Sequence, residues 1–137
     1  MSFEVFVECF AETKQTGLPR AAVRSLFPVD ESASEPDYWR VRYDDTNTCE
    51  IGVTPLANNG ARLSRMYVDR PSGDMRIWDA LFQILNMGFV VLVFPGGPAI
   101  VAHQGAASVI TAELTEAIGQ VVCVESGESI LKIVHES

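Results

Sequence analysis

The sequence predicts an α+β domain, a mainly antiparallel sheet of about six or seven strands with about three or four helices packed on it. Segments of alternating apolar and polar residues, which are typical of half-buried strands, come in pairs joined by short turns. Segments with helical spacing of apolar residues separate these pairs. The 137 residues show no repeat and no internal boundary, so a single domain over residues 1–137 accounts for the chain.

The N-terminal part predicts one strand, one helix and an irregular connection. Residues 3–9 alternate and predict a strand, and residues 18–27 have helical spacing. Pro19 suits the first position of that helix, because its missing amide needs no partner there. Residues 28–37 are acidic and polar and contain two prolines, which predicts a mobile loop.

A run of three strands follows. Residues 38–43 and 49–54 alternate on either side of an acidic turn and predict an antiparallel hairpin, and an Asn-Gly pair predicts the next turn. Residues 61–69 predict a third strand. Its alternation is poor, because Arg62 and Arg65 cannot share one face at a period of two, so we expect a bulge or an edge strand.

The clearest helical pattern covers residues 73–86, with Ser72 placed to cap it and Asp74 in its first turn. Residues 89–94 are apolar throughout, as in a central strand that is covered on both faces. A Pro-Gly-Gly-Pro turn then leads into a returning strand at 99–102.

The C-terminal part predicts two helices around one strand. Residues 111–118 have the pattern of a short helix, and residues 121–124 that of a short buried strand. Ser126 is placed to cap a last helix. His135 lies near the end of that helix, where the helix dipole favours a cation.

Charge excludes some classes of partner. The chain has 18 acidic and 10 basic side chains and a net charge of −8. Such a surface repels nucleic-acid phosphates and anionic membranes, and it favours a basic protein partner. Residues 80–112 contain no charged side chain, but glycines and prolines interrupt them before a membrane-spanning length is reached.

The compartment follows from the start of the chain and from the cysteines. Glu4 and Glu8 interrupt the first apolar stretch, so no signal peptide is predicted. Cys9, Cys49 and Cys123 are odd in number and far apart, as expected of buried free thiols in a reducing cytoplasm.

No motif predicts a cofactor or a metal. Zinc ligands would need spaced pairs of cysteine or histidine, and neither CxxC nor HxxxH occurs. The acidic turn lacks the spacing and the glycine of a calcium loop, and the glycines after residue 95 lack the lysine and the following helix of a phosphate loop. The sequence favours a non-enzymatic role and assigns no catalytic residue.

Two surfaces remain as candidate sites. The first is a ligand pocket near His103 formed by an arginine group, because imidazole titrates near neutrality and guanidinium binds carboxylate or phosphate as a fork. The alternative for the arginines is pairing with nearby carboxylates on the surface. The arginines of this predicted pocket are Arg62, Arg65, Arg70 and Arg76, together with Arg40 and Arg42, and Tyr67 and Trp78 could line it with them.

The second candidate surface is acidic and lies on the loop and the hairpin tip at the two ends of one predicted strand. An inhibitor of a basic enzyme would use such carboxylates to speed association and to occupy the anion site of the enzyme. The alternative is a solvated loop and turn. The residues of this surface are Asp30, Glu31, Glu35, Asp37, Asp44, Asp45 and Glu50.

Several stretches give the chain a family resemblance: SFEVFVECF, LPRAAVRSLF, YWRVRYDD and RPSGDMRIWDALFQILNMGFVVLVFPGG. Together they resemble small uncharacterised bacterial proteins, some of which act as cytoplasmic immunity partners of secreted toxins. The resemblance implies a binding role and assigns no residue.

The sequence therefore leaves three hypotheses. The first is a protein-binding module of immunity or inhibitor type that holds a basic toxin or enzyme through the acidic surface. The second is a small ligand-binding domain or enzyme with the pocket at His103 and the arginines. The third is a homodimeric module that pairs through the strand at residues 61–69.

Overall fold

A computed structural model of the chain describes residues 4–110 and 120–136. Within them the fold is α+β, with helices packed on one mixed, mostly antiparallel sheet of eight strands. The strands are β1 (Glu4–Cys9), β2 (Leu18–Pro19), β3 (Tyr38–Arg42), β4 (Thr48–Leu56), β5 (Asn59–Asp69), β6 (Val90–Val93), β7 (Ala99–Val101) and β8 (Val121–Cys123). The helices are α1 (Ala11–Thr16), α2 (Arg20–Ser25), α3 (Met75–Leu85), α4 (described over 104–110) and α5 (Gly127–Glu136), with a 3₁₀ turn at Glu31–Ala33.

The sheet has the order β3-β4-β5-β1-β6-β7-β8, with β2 paired beside β1 on the same side of β5. All pairs are antiparallel except β7 with β8. The predicted hairpins β3–β4 and β6–β7 are confirmed, as is the central position of β6. The strand predicted as buried at 121–124 is instead an edge strand, and its residues are half-buried except Val124.

The N-terminal helix α1 was not predicted. Its sequence, AETKQT, is short and polar and buries only Thr13, so it has no apolar periodicity to detect. The chain leaves α1 through Gly17, whose positive φ of 71° favours glycine, and a Cβ there would lie 2.8 Å from the carbonyl oxygen of Leu63. The next helix, α2, is shorter than predicted, because Pro19 precedes it as a residue of β2.

The acidic loop at residues 28–37 is hydrogen-bonded to the sheet. The amide of Asp30 donates to the carbonyl of Arg40 at 2.8 Å, and the amide of Arg42 donates to the carbonyl of Pro28 at 3.1 Å. The segment predicted to be mobile therefore satisfies part of the outer edge of β3, an edge that would otherwise be open to pairing.

Strand β5 confirms one prediction and corrects another. Thr54 pairs with Arg65 and Pro55 with Leu63, which leaves Ser64 as an extra residue in a bulge. The bulge explains the poor alternation. The edge position, however, is wrong, because β5 pairs with β4 along one side and with β1 and β2 along the other. Residues 62–69 of β5 thus lie between described strands on both sides and offer no free edge for the pairing with a second copy that the third hypothesis requires.

The helices α3 and α5 cover the inner face of the sheet. Asp74, rather than Ser72, is the N-cap of α3 and accepts a hydrogen bond from the amide of Arg76 at 2.9 Å. The predicted cap of α5 is confirmed, since the Ser126 hydroxyl accepts from the amide of Ser129 at 3.1 Å. The buried side chains of α3 are Ile77, Trp78, Ala80, Leu81, Ile84 and Leu85.

Two hydrophobic clusters lie on opposite faces of the sheet. The larger is on the inner face and includes Trp39, Ile51 and Leu92 beneath α2, α3 and α5. The smaller is on the outer face of β6 and β7, where α4 contributes Ala106 and Ile110. The helix predicted at 111–118 falls on residues 111–119, outside the described part, and the sequence analysis missed its neighbour α4.

The cysteines are free thiols, as predicted, but they differ in burial. Cys9 and Cys49 are buried, and Cys123 is half-buried. Burial raises the pKa of Cys9 to about 11 and that of Cys49 to about 12, which keeps both thiols protonated at neutral pH. Among the described helices, none has the length and apolar character needed to cross a membrane.

Candidate functional site

The carboxylates of the acidic loop are engaged within the protein. Asp30 caps the 3₁₀ turn by accepting from the amide of Ser32 at 3.1 Å, and the hydroxyl of the same serine lowers the pKa of Asp30. Glu31 pairs with Arg24 at 2.6 Å. Asp37 pairs with Arg20 at 2.9 Å, whereas the side chain of Glu35 is exposed.

The carboxylates of the hairpin are engaged in the same way. Asp44 accepts hydrogen bonds from Asn47 and Thr46 within the turn, and these bonds lower its pKa. Asp45 forms an ion pair with Arg42. Glu50 lies apart from the tip, on the outer face of β4, and accepts a hydrogen bond from the Tyr38 hydroxyl, which raises the tyrosine pKa to about 12. The predicted acidic surface is thus divided between loop, turn and sheet.

His103 is a structural residue at the start of α4. Its Nε2 lies 2.9 Å from the carbonyl oxygen of Gly88, and its Nδ1 accepts from the amide of Ala106 at 3.1 Å. Since Nδ1 accepts, the proton lies on Nε2 and is donated to Gly88. The imidazole therefore caps α4 and ties it to the segment before β6.

The arginines of the predicted pocket have partners in different places. Arg62 donates to the carbonyl of Gly17 at 2.9 Å, and Arg65 pairs with Glu8 at 2.8 Å. Arg76 pairs with Asp74 at 2.5 Å and lies over the ring of Tyr43, 4.6 Å from its centroid. Arg70 is exposed at the end of β5. The structure does not bring these side chains together with His103, which is bound to the β6–β7 side of the sheet.

A different surface stands out on the outer face of β3, β4, β5 and β1, which we call the open half. Tyr38, Tyr67 and Phe6 form a row across it, because Gly52 pairs with both tyrosines and Phe6 pairs with Tyr67. A Cβ built on Gly52 would lie 2.1 Å from Cε1 of Tyr67, so the tyrosine ring lies directly over this glycine. The three aromatic side chains are half-buried and belong to neither hydrophobic cluster of the described residues.

A second row on the open half consists of three carboxylates, with Arg40 opposite Glu50 at the β3 end of the row. Asp69 on β5 lies directly opposite Glu4 on one side and directly opposite Glu50 on the other. Neighbouring strands are about 4.8 Å apart, and like charges directly opposite each other destabilise a sheet. Within the described residues, neither Glu4 nor Asp69 forms an ion pair.

Glu50 was predicted as a binding residue and Tyr67 as a residue of the arginine pocket, whereas Glu4, Phe6 and Asp69 were not predicted as site residues. Alternation placed Phe6 and Glu4 on an outer face, but the strand order was needed to bring them beside Tyr67 and Asp69. The described residues contain no group of side chains arranged to hold a metal ion.

Comparisons with models of known protein families, with curated proteins and with solved structures found no match to this chain.

Proposed function

We propose that the chain is a protein-binding module of inhibitor or immunity type that holds a basic protein partner on the open half. The observation that carries the proposal is the row of half-exposed aromatic side chains beside a row of carboxylates that form no ion pair within the described residues. The sequence predicted a binding surface on the acidic loop and the hairpin tip, and the present proposal uses the outer face of the sheet instead. Glu50 belongs to both surfaces.

The aromatic row supports a protein partner. Aromatic side chains are enriched at protein interfaces, because they bury a large apolar area and lose little conformational freedom. Tyr67 is already positioned by its contact with Gly52 and by the ring of Phe6, whose centroid is 6.4 Å away. A partner that packs on this row would find a preorganised apolar strip.

The carboxylate row supports a basic partner. Repulsion between Glu4, Asp69 and Glu50 is a cost of the free protein that a cationic side chain between them would remove. Opposite charges across an interface also accelerate association. The same charge disfavours a second copy of this chain, since each copy would carry a net charge of −8.

The proposal is tested by reversing the central charge of the row. Asp69→Lys places a cation between Glu4 and Glu50, so it should stabilise the fold by about 0.5 kcal/mol while it repels a basic partner. The matched control is Glu125→Lys, which makes the same charge change at an exposed residue outside the open half. Higher stability together with weaker binding in Asp69→Lys would show that Asp69 acts in the interface and not in stabilising the fold.

The measurement begins with affinity capture from the native cell by the wild-type protein and both variants. The captured protein is then purified and its affinity measured at increasing salt concentration. We expect a basic partner whose affinity falls at least about tenfold with Asp69→Lys, stays within about twofold with Glu125→Lys, and whose association slows with salt. A partner bound equally by all three proteins, or an absence of any capture that depends on Asp69, would overturn the proposal.

A further inference from the structure

Two arginines differ from all the others in this chain. Arg40 and Arg70 are the arginines whose guanidinium groups form no hydrogen bond and no ion pair with any described residue. Arg62 is bound by the carbonyl oxygens of Thr16 and Gly17. The remaining arginines form ion pairs: Arg20, Arg24, Arg42, Arg65 and Arg76.

The two unpaired arginines line the same cleft. It lies at the border of the open half and has a volume of about 110 Å³. Arg40 reaches it from β3 and Arg70 from the end of β5, and Thr48 contributes a hydroxyl group. The remaining lining residues are Cys49, Glu50 and Asp69.

The carboxylates of the cleft lie near these arginines, and Glu50 is directly opposite Arg40 in the sheet. Glu50 accepts a hydrogen bond from the hydroxyl group of Tyr38. Neither Glu50 nor Asp69, however, forms an ion pair with Arg40 or Arg70. Guanidinium binds carboxylate through two parallel hydrogen bonds, and two such groups around one hydroxyl offer a carboxylate more donors than its oxygens can use.

The backbone of Arg70 is an independent observation. Its φ of 55° lies in the left-handed region, which costs a side-chain-bearing residue steric energy that glycine avoids. An arginine held in such a conformation projects its side chain from the point where β5 ends. Outliers of this kind cluster at binding sites.

We propose that the cleft between Arg40 and Arg70 binds a carboxylate group, and that in the complex this group is an aspartate or glutamate side chain of the protein partner. The assignment of this carboxylate to the partner rests on the proposed function, whereas the binding of a carboxylate in the cleft does not. The partner would then present a basic group to Asp69 and an acidic group to the adjacent cleft. Two opposite charges at a fixed separation set the orientation of a partner as well as its affinity.

The first test uses sodium acetate as the probe and the protein alone. The Nε–Hε signals of all arginines are followed by NMR while acetate replaces chloride at constant ionic strength. We expect saturable shifts at Arg40 and Arg70, with an apparent Kd on the order of 10 mM, and Arg70→Gln should weaken acetate binding at Arg40 about tenfold. The control Arg65→Gln, which removes an arginine already paired with Glu8, should leave it unchanged.

Uniform small shifts at every arginine, or no shift at Arg40 and Arg70, would overturn the carboxylate site. That result would leave the proposed function standing, because the proposed function is decided by Asp69→Lys.

The second test distinguishes a carboxylate of the partner from a small free carboxylate. With the purified partner, Arg70→Gln should lower the affinity about tenfold, and acetate should compete with the partner for the wild-type protein. The opposite result is equal binding of the partner to the wild-type protein and to Arg70→Gln, while acetate still shifts the NMR signals of Arg40 and Arg70. In that case the cleft binds a small free carboxylate, and its assignment to a side chain of the partner is wrong.

Discussion

The outer face of the sheet has two halves that are built from the same hydrogen-bonded strands and are used differently. Over β6 and β7 the outer side chains are Val91, Ala99 and Val101, and α4 seals them with Ile110. Over β3, β4, β5 and β1 the outer side chains include aromatic and charged ones, which stay half-exposed or exposed. We call the first region the covered half.

The difference teaches that charge, more than apolar content, decides which half is buried. Residues 80–112 supply β6, β7 and the described part of α4, and they contain no Asp, Glu, Lys or Arg. The open half carries carboxylates between its aromatic side chains, and a helix packed there would have to bury them at a high desolvation cost. The covered half stabilises the domain, and the open half keeps an apolar strip accessible.

The largest expected effect compares one residue from each half. Ile110→Ala should lower the free energy of unfolding by about 3 kcal/mol, because Ile110 is fully buried and truncation leaves a cavity under α4. Phe6→Ala, although it removes a larger side chain, should cost about 1 kcal/mol, because Phe6 is already half-exposed. Denaturation in urea measures both. Equal losses would mean that the two halves do not differ in their contribution to stability.

The next effect concerns the residue that fixes α4 on the covered half. His103→Ala removes the acceptor for the Ala106 amide and the donor to Gly88, and it should cost about 1.5 kcal/mol. Hydrogen exchange should show faster exchange in α4 than in α3. The control is His135→Ala at the exposed end of α5, for which we expect a change within about 0.5 kcal/mol. A loss spread evenly over the whole domain would contradict a local role for His103.

A smaller effect, with the opposite sign, is expected at the border of the open half. Arg70→Gly should stabilise the fold by about 0.5 kcal/mol, because relief of the left-handed backbone exceeds the entropy that glycine loses. Arg40→Gly removes the other arginine of the cleft from an ordinary strand position and should destabilise by a similar amount. Thermal denaturation of the two variants compares them directly. Destabilisation by both would show that Arg70 supports the fold.

The smallest effect is a pH dependence at the hairpin tip beside the open half. Hydrogen bonds from Asn47 and Thr46 hold the pKa of Asp44 below its ordinary value, so its contribution is present above about pH 4 and is lost as the pH falls further. Asp44→Asn keeps an acceptor oxygen and does not titrate, so its unfolding free energy should decline less steeply between pH 4 and pH 2 than that of the wild-type protein. Parallel curves would assign the acid sensitivity to other carboxylates.

Local patterns predicted most of the strands and the helices α3 and α5, because alternation, turn residues and caps act over a few neighbouring residues. The Asn-Gly turn and the Ser126 cap are examples. The helix α1 was missed because it buries one residue, and α4 because its small residues give a weak periodic pattern. Poor alternation of apolar and polar residues predicted a bulge or an edge position for β5, because both interrupt the alternation in the same way. The structure shows the bulge, at Ser64.

The open half could not be predicted from the sequence, because its rows run across the strands. Asp69 and Glu50 are paired by the neighbouring strands β4 and β5, but Glu4 joins them only through the insertion of β1 between β5 and β6. The pairing of distant strands depends on the packing of the whole domain. The cleft itself was not predicted, because Arg40 and Arg70 were grouped with the other arginines, and only the ion pairs of Arg65 with Glu8 and of Arg76 with Asp74 set those two apart.

The central position of β1 also has a consequence for the order of events during folding. β1 precedes β5 and β6 in the chain and has Asp69 and Val93 among its pairing partners, so both of its edges stay unpaired until β5 and β6 have been synthesised. The hairpin of β3 and β4 can close as soon as its own residues are available. Completion of the sheet depends on contacts between residues far apart in the sequence, which form slowly. A nascent chain stopped before β6 would leave the backbone of one edge of β1 unpaired, next to the apolar side chains of Val5, Val7 and Cys9. It would be the species most in need of a chaperone.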